Sequence, residues 1–489
     1  MKRYLIYLNL VIVALLVSSC SDDYLDVNND SNSPTSENVG PDLRLAPALV
    51  ATAASIQGNR RTNHLGNMFM YNWSQSDGFA WYPDEFAYNV SSSFYQQIWN
   101  DAYLNTLQGY RGIVNDLNTP EYANYVAIAK IMESFHFQIL VDLYGDIPYS
   151  EALQRGENPT PAYDDEVAVY EGIVATLNSA MTMIDNAGSD AIVPGTDDYV
   201  FGGDMASWKV FANTIKLRAL VRQSDVAGRE AYLQEEFAGM DAIGFITDNV
   251  TVNPGYLQEA GRQNPFWNTF GADDGGVITN TNNATCATQF ILDYLSDKSD
   301  PRLNLLFEQP ADGHLGVPQG LLNYPEVIYE PDFVSNIGPG LLKSFDQDAV
   351  IFSLAENFFN IAEARQKNYL SGSAQIAYEN GIQASFDYLG AGDASAYYTQ
   401  PLENVNWANS DPMEAIITQK WLALIGVDAV QSWFDYSRTG YPRNLPISLQ
   451  ATTADRPVRL FYTSAEQTTN NANVPQQPNA FTAKIFWAN

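Results

Sequence analysis

The chain has 489 residues, 46% of them hydrophobic and 13% aromatic, and its 57 acidic residues outnumber its 25 Lys and Arg residues, for a formal net charge of −32. Such an apolar chain is not disordered, and its length suffices for one large core or two medium ones. The charge argues against nucleic acid, which is bound through many Lys and Arg side chains, and against polyanionic ligands unless the few basic residues cluster.

The N-terminal residues have the order of a bacterial lipoprotein leader. The basic pair Lys2-Arg3 precedes an apolar run over residues 4–17, and small residues then lead to Cys20. This order resembles a lipobox, so we expect residues 1–19 to be removed as a signal peptide and Cys20 to be acylated, with palmitate among its chains. An uncleaved anchor helix and an ordinary signal peptide with a chance cysteine are the alternatives.

Residues 20–40 are predicted to be a lipidated, flexible tether, because they are polar, rich in Asn, Ser and Asp, and without a hydrophobic period. With Cys20 acylated, Cys286 is the only other cysteine, so no disulfide within the chain holds the fold together. No segment after the leader is expected to be long and apolar enough to cross a bilayer.

Hydrophobic spacing predicts helices over most of residues 41–239. They span residues 41–56, 60–71, 92–117, 122–144 and 164–184, and a further helix begins after Asp204 as its N-cap. Residues 73–90 carry Gly78 and Pro83 and lack any period, so we expect a loop there.

The helix over residues 122–144 is the element around which the rest is organised. No Pro or Gly interrupts it, and apolar residues lie almost all round it, which is typical of a helix buried at the centre of a large helical protein. Gly145 ends it, and Pro148 keeps it from resuming. The fold is therefore predicted to be mostly α.

The chain changes character over residues 240–345. This stretch is rich in Gly, Pro, Asn and Asp, with short strand-like pieces and one predicted helix at 288–295, and long loops of this kind are often functional. Helices resume over residues 346–440, at 350–369, 374–389, 413–425 and 428–438, and residues 441–489 are expected to form an irregular tail.

Several motifs carry a family resemblance. Residues 143–153 read LYGDIPYSEAL, residues 202–218 contain GGD and ANTIKLR, and residues 417–442 contain ITQKW and WFDYSRTGYP. In this order they resemble the SusD/RagB family of nutrient-binding outer-membrane lipoproteins, from Cys20 to Trp487. The resemblance implies a single SusD-like α domain over residues 41–489, with tetratricopeptide-like helix pairs and a loop-rich insertion.

The resemblance also implies a function. It predicts a cell-surface outer-membrane protein that binds oligosaccharide or peptide nutrients and hands them to a SusC-like TonB-dependent transporter, without catalysis. Two other functions remain open at this point, a surface glycosidase that uses an acidic pair and a helical-repeat scaffold that binds only protein.

The sequence offers little support for catalytic or metal chemistry. Glu133 and His136 have the E-x-x-H spacing of di-iron bundles, but such a site needs a second copy, and neither His64 nor His314 has a Glu three residues before it. We therefore predict a hydrogen-bonded core histidine at position 136, no metal and no cofactor. The acidic pairs Asp84-Glu85 and Asp273-Asp274 are expected in loops, as solvated turns or calcium ligands.

Aromatic residues in the predicted loops are the strongest indication of a binding site. A sugar has apolar C–H faces and a rim of hydroxyl groups, so flat rings with nearby polar side chains suit it. Trp81 is the leading candidate, and the alternative for each ring is that it anchors its loop to the core. The predicted ligand-binding residues are Trp73, Trp81, Tyr82, Asp84, Arg262, Asn264, Phe266 and Trp267.

Overall fold

The computed structural model describes residues 39–321 and 326–488. The predicted signal peptide, Cys20 and nearly all of the predicted tether lie outside the described residues. From Pro41 onward the described chain forms one compact unit.

Helices occupy most of the first half of the described chain, as predicted. They are α1 (Asp42–Gln57), α2 (Thr62–Phe69), α3 (Pro83–Ala87), α4 (Gln96–Asn100), α5 (Leu107–Asp116), α6 (Ala123–Tyr144), α7 (Glu166–Asp185), α8 (Met205–Arg222), α9 (Glu230–Phe237) and α10 (Met240–Ile243). Two predictions were wrong in detail. The expected loop 73–90 contains α3 and a strand, and the helix expected over 92–117 begins at Gln96 and passes through a π-helical turn, Asp101–Thr106.

The central helix α6 is buried on nearly every side, which confirms the prediction from its composition. It packs against α5, α7 and α8. His136 on this helix is a core histidine, as predicted, since its Nε2 lies 2.8 Å from the hydroxyl of Thr52. Burial lowers the pKa of His136 to about 3, so the ring is neutral at physiological pH. Gly145 ends the helix with a φ of 74°, a conformation that favours glycine.

Helix α7 corrects the expectation about membrane spans. By length and composition Glu166–Asp185 suffices to cross a bilayer. Its apolar stripe, which includes Tyr170, Ile173 and Leu177, is instead buried, and the helix packs against α6 and α8. The helices of a protein core can be as long and as apolar as a membrane span, so the length and composition of α7 are weak evidence that it crosses a membrane.

The loop-rich region 240–345 contains short elements that join it to the helical parts. They are β2 (Val250–Val252), α11 (Pro265–Phe270), α12 (Asn280–Ala284), β3 (Thr285–Ala287), α13 (Gln289–Asp297) and α14 (Leu303–Leu306). Strand β1 (Trp73–Gln75) pairs antiparallel with β3, and β2 pairs antiparallel with β4 (Ala349–Phe352). The helix predicted from residue 350 therefore begins only after a strand, and Ser353 caps it by accepting a hydrogen bond from the amide of Glu356 at 3.0 Å.

The last helices form packed pairs and confirm the mostly α prediction. They are α15 (Leu354–Gln366), α16 (Ala374–Leu389), α17 (Ser395–Tyr398), α18 (Pro412–Leu424), α19 (Ala429–Thr439) and α20 (Ser464–Thr469), with a 3₁₀ turn at Trp407–Asn409. Helix α15 packs against α16, and α18 against α19. Helix α19 also packs against α2, where a Cβ on Gly66 would lie 2.1 Å from the backbone of Ala429.

Two arginines lie in the core as ion pairs, Arg438 of the WFDYSRTGYP motif and Arg302 of residues 300–303 (DPRL), which also resemble the family. Arg438 contacts both carboxylate oxygens of Glu363, at 2.6 and 2.8 Å. Arg302 contacts Asp300 at 2.6 Å, with both side chains buried. A buried ion pair of this kind becomes strongly destabilising if one partner is removed. Their role in the fold explains these motif residues without any reference to a ligand.

Candidate functional site

The loop that follows β1 holds the leading candidate, Trp81, and is tied down at its base. We call residues 76–82 the Trp81 loop. The Oε1 of Gln75 accepts a hydrogen bond from the amide of Trp81 at 2.6 Å, and its Nε2 donates to the carbonyl of Phe79, also at 2.6 Å. One side chain thus fixes both arms of the loop.

Arg60 holds the same loop from the helical side. Its Nη2 donates to the carbonyl oxygen of Trp81 at 2.6 Å, and its Nη1 lies 3.6 Å from the carboxylate of Glu85. Burial raises the pKa of Glu85, and the charge of Arg60 offsets part of that rise. The connection between α1 and α2 therefore positions the backbone of Trp81.

Two partly exposed rings lie on the Trp81 loop. Those of Phe79 and Trp81 meet edge to face, with centroids 5.4 Å apart. Backbone hydrogen bonds join the loop to its neighbours, from Ser76 to Ala284 at 3.1 Å and from Asp77 to Tyr329 at 2.8 Å. These hydrogen bonds hold the loop that carries the two partly exposed rings.

A buried aromatic cluster forms the floor beneath this loop. The ring of His64 lies at its centre, with centroids 5.8 Å from Trp73, 5.2 Å from Tyr82 and 5.5 Å from Phe270. The hydroxyl of Tyr82 lies 2.8 Å from that of Thr285, which belongs to the loop-rich region. Burial, with the nearby charge of Arg60, lowers the pKa of His64 to about 3, so this cluster carries no charge on its histidine.

Comparison with known proteins decides the family. Residues 34–463 match the SusD-like family, which is described as "Starch-binding associating with outer membrane". The chain belongs to the SusD-like family. This confirms the resemblance carried by the motifs, and SusD-like proteins are carbohydrate-binding proteins associated with the outer membrane and the cell surface. A comparison with curated proteins finds no match.

Solved structures of SusD-like proteins share the fold. A "chitin-binding protein" is 25% identical, with a TM-score of 0.75 over 92% of this chain and 100% of its own. A chitin-binding SusD homolog from Flavobacterium johnsoniae is 21% identical, with a TM-score of 0.75 over 91% of this chain and 98% of its own. A SusD homolog from Bacteroides vulgatus ATCC 8482 is 22% identical, with a TM-score of 0.70 over 87% of this chain and 91% of its own.

Within this SusD-like fold, four of the eight sequence-predicted site residues are buried. Trp73 and Tyr82 belong to the aromatic floor, and Phe266 packs on Phe270 of that floor, with ring centroids 5.0 Å apart. All three are at most 3% exposed, so they support the loop and have no surface to offer a ligand. Asn264 is fully buried as the N-cap of α11, where its Oδ1 accepts from the amides of Phe266 and Trp267 at 2.9 and 3.0 Å. The sequence did not reveal which rings are buried, because aromatic residues that anchor a loop and those that bind a ligand have the same sequence pattern.

The other four predicted residues reach the surface. Trp81 and Trp267 are partly exposed, and the indole of Trp267 lies against Gly271, where a Cβ would come within 2.7 Å of ring atom Cδ2. Asp84 is partly exposed and accepts from the side chain of Asn89 at 2.8 Å. Arg262 is exposed and pairs with Glu259 at 2.7 Å. Their role in ligand binding stays a prediction.

Three residues that position or extend the site were missed from the sequence. Gln75 and Arg60 act through hydrogen bonds to the backbone of the loop, and no sequence pattern distinguishes such side chains from ordinary surface residues. Phe79 could have been found, because it lies two residues before Trp81 in the same aperiodic stretch.

The described residues hold no grouping suited to a catalytic metal. Within residues 39–321 and 326–488, no three or more His, Cys, Asp or Glu side chains are arranged to bind an ion. Glu85 is buried beside Arg60 rather than solvated in a turn, which corrects that expectation. Asp273 accepts from the amide of Val277 at 2.8 Å and so closes a turn. Burial raises the pKa of Cys286, which makes it an unreactive thiol.

Four cavities in the described part of the chain lie away from the Trp81 loop, with volumes of about 340 to 770 Å³. None of these four is lined by Trp81 or Phe79. A sugar that stacks on a flat ring needs an open aromatic surface with polar neighbours and does not need an enclosed cavity. We therefore base the candidate site on the Trp81 loop.

Proposed function

We propose that this SusD-like protein binds oligosaccharide at the cell surface through the Trp81 loop and passes it to a SusC-like TonB-dependent transporter. The observation that carries the proposal is the partly exposed ring pair of Phe79 and Trp81 on a loop fixed by Gln75 and Arg60. Family membership makes carbohydrate the favoured ligand, ahead of peptide.

The fixed aromatic loop suits an uncharged ligand such as a neutral sugar. Ordering a flexible loop on binding costs free energy, and a loop already held by hydrogen bonds avoids that cost. Rings supply apolar area for the C–H face of a sugar, and polar side chains can bind its hydroxyl groups. Asp84, Arg262 and Trp267 are the proposed companions of Trp81, because they also reach the surface.

Chito-oligosaccharides are the first ligands to test, since a relative that is 25% identical is described as chitin-binding. Isothermal titration calorimetry of the whole protein with chito-oligosaccharides would measure the affinity. Trp81→Ala should weaken binding about tenfold or more, which corresponds to about 1.4 kcal/mol. Trp407→Ala is the control, because it removes another partly exposed indole that packs on Tyr378, at 5.4 Å between ring centroids. Unchanged affinity of Trp81→Ala for every active glycan would contradict the proposed site.

The arrangement of the acidic pairs does not favour the glycosidase alternative. A glycosidase needs two carboxyl groups that flank a sugar bond. The carboxylate of Glu85 is buried beside Arg60, and Asp273 is occupied with the amide of Val277. Incubation with a panel of polysaccharides should release no reducing ends, and turnover at a useful rate would replace the binding proposal with an enzymatic one.

The membrane anchor and the transporter complete the proposal. Acylation of Cys20 would hold the protein at the outer membrane, and residues 20–40 would serve as its tether. Association of SusD-like proteins with SusC-like transporters supports such a barrel as the partner. Purification of the tagged protein from native membranes should recover a TonB-dependent barrel, and its absence from every mild-detergent preparation would remove the partner from the proposal.

A further inference from the structure

Four basic residues of this acidic chain line one cavity. A cavity of about 580 Å³ lies where the ends of α15 and α19 meet the C-terminal tail, and four of the chain's 25 Lys and Arg residues line it. These are Lys367, Arg438, Arg456 and Lys484, and the one acidic residue among the lining residues is Asp225. The net charge of the chain disfavours anionic ligands unless basic residues cluster, and at this cavity they do cluster.

The lining residues carry four cations and one carboxylate, and Glu363 and Asp435, which do not line the cavity, also pair with Lys367 or Arg438. Arg438 is already engaged by Glu363, and Asp225 lies between Lys367 and Arg438, with an oxygen 3.1 Å from the Nη1 of Arg438. Burial alone would raise the pKa of Asp225, yet the two cations hold it below its usual value. Arg438 also suits the negative end of the α19 dipole, but the other three cations come from other segments.

Arg456 is a buried cation with unused hydrogen-bond donors. Its side chain is buried, with the residue 6% exposed, and its Nη2 donates to the carbonyl of Pro446 at 2.5 Å. Its Nε and Nη1 have no hydrogen-bond partner among the described residues. Unsatisfied guanidinium N–H groups are costly, and each of them can donate a charge-assisted hydrogen bond to a carboxylate oxygen.

The rest of the cavity is suited to the ring of a sugar. The guanidinium of Arg456 lies over Tyr436, 5.1 Å from the ring centroid, and Tyr441 provides a second ring in the wall. Met413, Pro457 and Val458 add apolar surface. Aromatic and apolar walls beside a cationic group can hold the C–H face and the charged substituent of one ligand together.

We propose that this cavity binds a carboxylate-bearing sugar, such as a uronic acid unit, with its carboxylate at Arg456 and Lys367. Both unpartnered nitrogens of Arg456 are covered, so the ligand reaches them by rotation of a side chain at the cavity wall, a common change on binding. The net charge of −32 still repels polyanions at long range, and salt screens that repulsion beyond about 8–10 Å. The site therefore selects a single carboxylate rather than a densely charged polymer.

This proposal goes beyond the proposed function, because the cavity shares no lining residue with the Trp81 loop. The test is titration of the whole protein with glucuronate and galacturonate, and with glucose and galactose as neutral controls, at low ionic strength. At least one uronate should bind, the neutral sugars should bind at least tenfold more weakly, and added salt should weaken uronate binding.

Variants assign the binding to the cavity. Arg456→Gln should weaken uronate binding at least tenfold and Lys367→Gln several-fold. Lys298→Gln, which removes the same charge from a lysine outside the cavity wall, should leave it unchanged. If Arg456→Gln does not fold, Lys367→Gln alone decides, because Lys367 is partly exposed and its loss leaves no buried gap.

The outcomes separate the two proposals. Trp81→Ala should bind uronates as the wild type does, and Lys367→Gln should bind neutral oligosaccharides as the wild type does. The cavity proposal is overturned if neither uronate binds more tightly than its neutral control, or if both cavity variants retain wild-type affinity. The Trp81 loop proposal survives either of these results.

Discussion

Arg60 donates a hydrogen bond from Nη2 to the carbonyl oxygen of Trp81, across 2.6 Å. The residue has a φ of 52°, in the left-handed region, and lies between α1 and α2. The helical part of the protein thus holds the backbone of a loop that carries the partly exposed rings of Phe79 and Trp81. Affinity at the Trp81 loop should therefore depend on Arg60, which acts through the backbone of that loop.

Replacing Arg60 tests this dependence. Arg60→Ala should weaken oligosaccharide binding roughly fivefold, about 1 kcal/mol, because the loop must then be ordered on binding. Calorimetry gives the affinity, and amide hydrogen exchange over residues 76–82 reports the mobility of the loop. Arg443→Ala is the control, since its side chain is 61% exposed and pairs with Glu414 instead. Wild-type affinity of Arg60→Ala, with Trp81→Ala impaired, would show that the loop needs no such support.

Gly66 lies where α2 and α19 approach each other closely. A Cβ there would lie 2.1 Å from the backbone of Ala429, so Gly66→Ala must push two helices apart. Overpacking of this kind costs about 1–3 kcal/mol of unfolding free energy. Thermal or urea unfolding should show the loss, whereas Gly188→Ala, with open space around its Cβ position, should be neutral. Equal stability of the two variants would contradict the packing described.

The sequence predicted those elements of the fold that depend on neighbouring residues, and it missed those that depend on distant ones. Apolar residues on every side of residues 123–144 indicate a buried helix without any knowledge of its neighbours. The short apolar run over residues 349–352 is compatible with a helix or with a strand. It forms a strand because it pairs with β2, about a hundred residues earlier in the chain. The π-helical turn Asp101–Thr106 has no sequence pattern of its own.

The same distinction applies to the site. An aperiodic stretch with several rings predicted a functional loop, and the structure shows that loop firmly held. The sequence could not separate Trp81 from Tyr82, because Tyr82 is buried by contacts with His64 and Thr285, and Thr285 lies 203 residues away in the chain. Partners at such separations are set by the assembled fold and leave no local trace.

The lipid anchor can be tested through Cys20. Cys20→Ser should abolish labelling by a palmitate analogue and release the protein from the outer-membrane fraction, because the acyl chains supply the membrane affinity. Cys286→Ser should still be labelled, since Cys286 is buried in β3 and is the chain's other cysteine. Retention of Cys20→Ser in the outer membrane, with label still attached, would disprove the lipobox interpretation.

Glu166, in the first turn of α7, should make stability depend on pH. Burial, with the nearby Asp146 and Asp165, raises its pKa from 4.5 to about 7, against the backbone amide of Phe486 and the charge of Arg459. The folded protein therefore binds more protons than the unfolded chain between these pH values, so this group lowers the unfolding free energy as pH rises from 4.5 to 7. Glu166→Gln should match the wild type near pH 4 and exceed its stability by about 2 kcal/mol above pH 7. Urea unfolding at a series of pH values measures the difference, and a constant difference across the series would show that the carboxyl of Glu166 titrates normally.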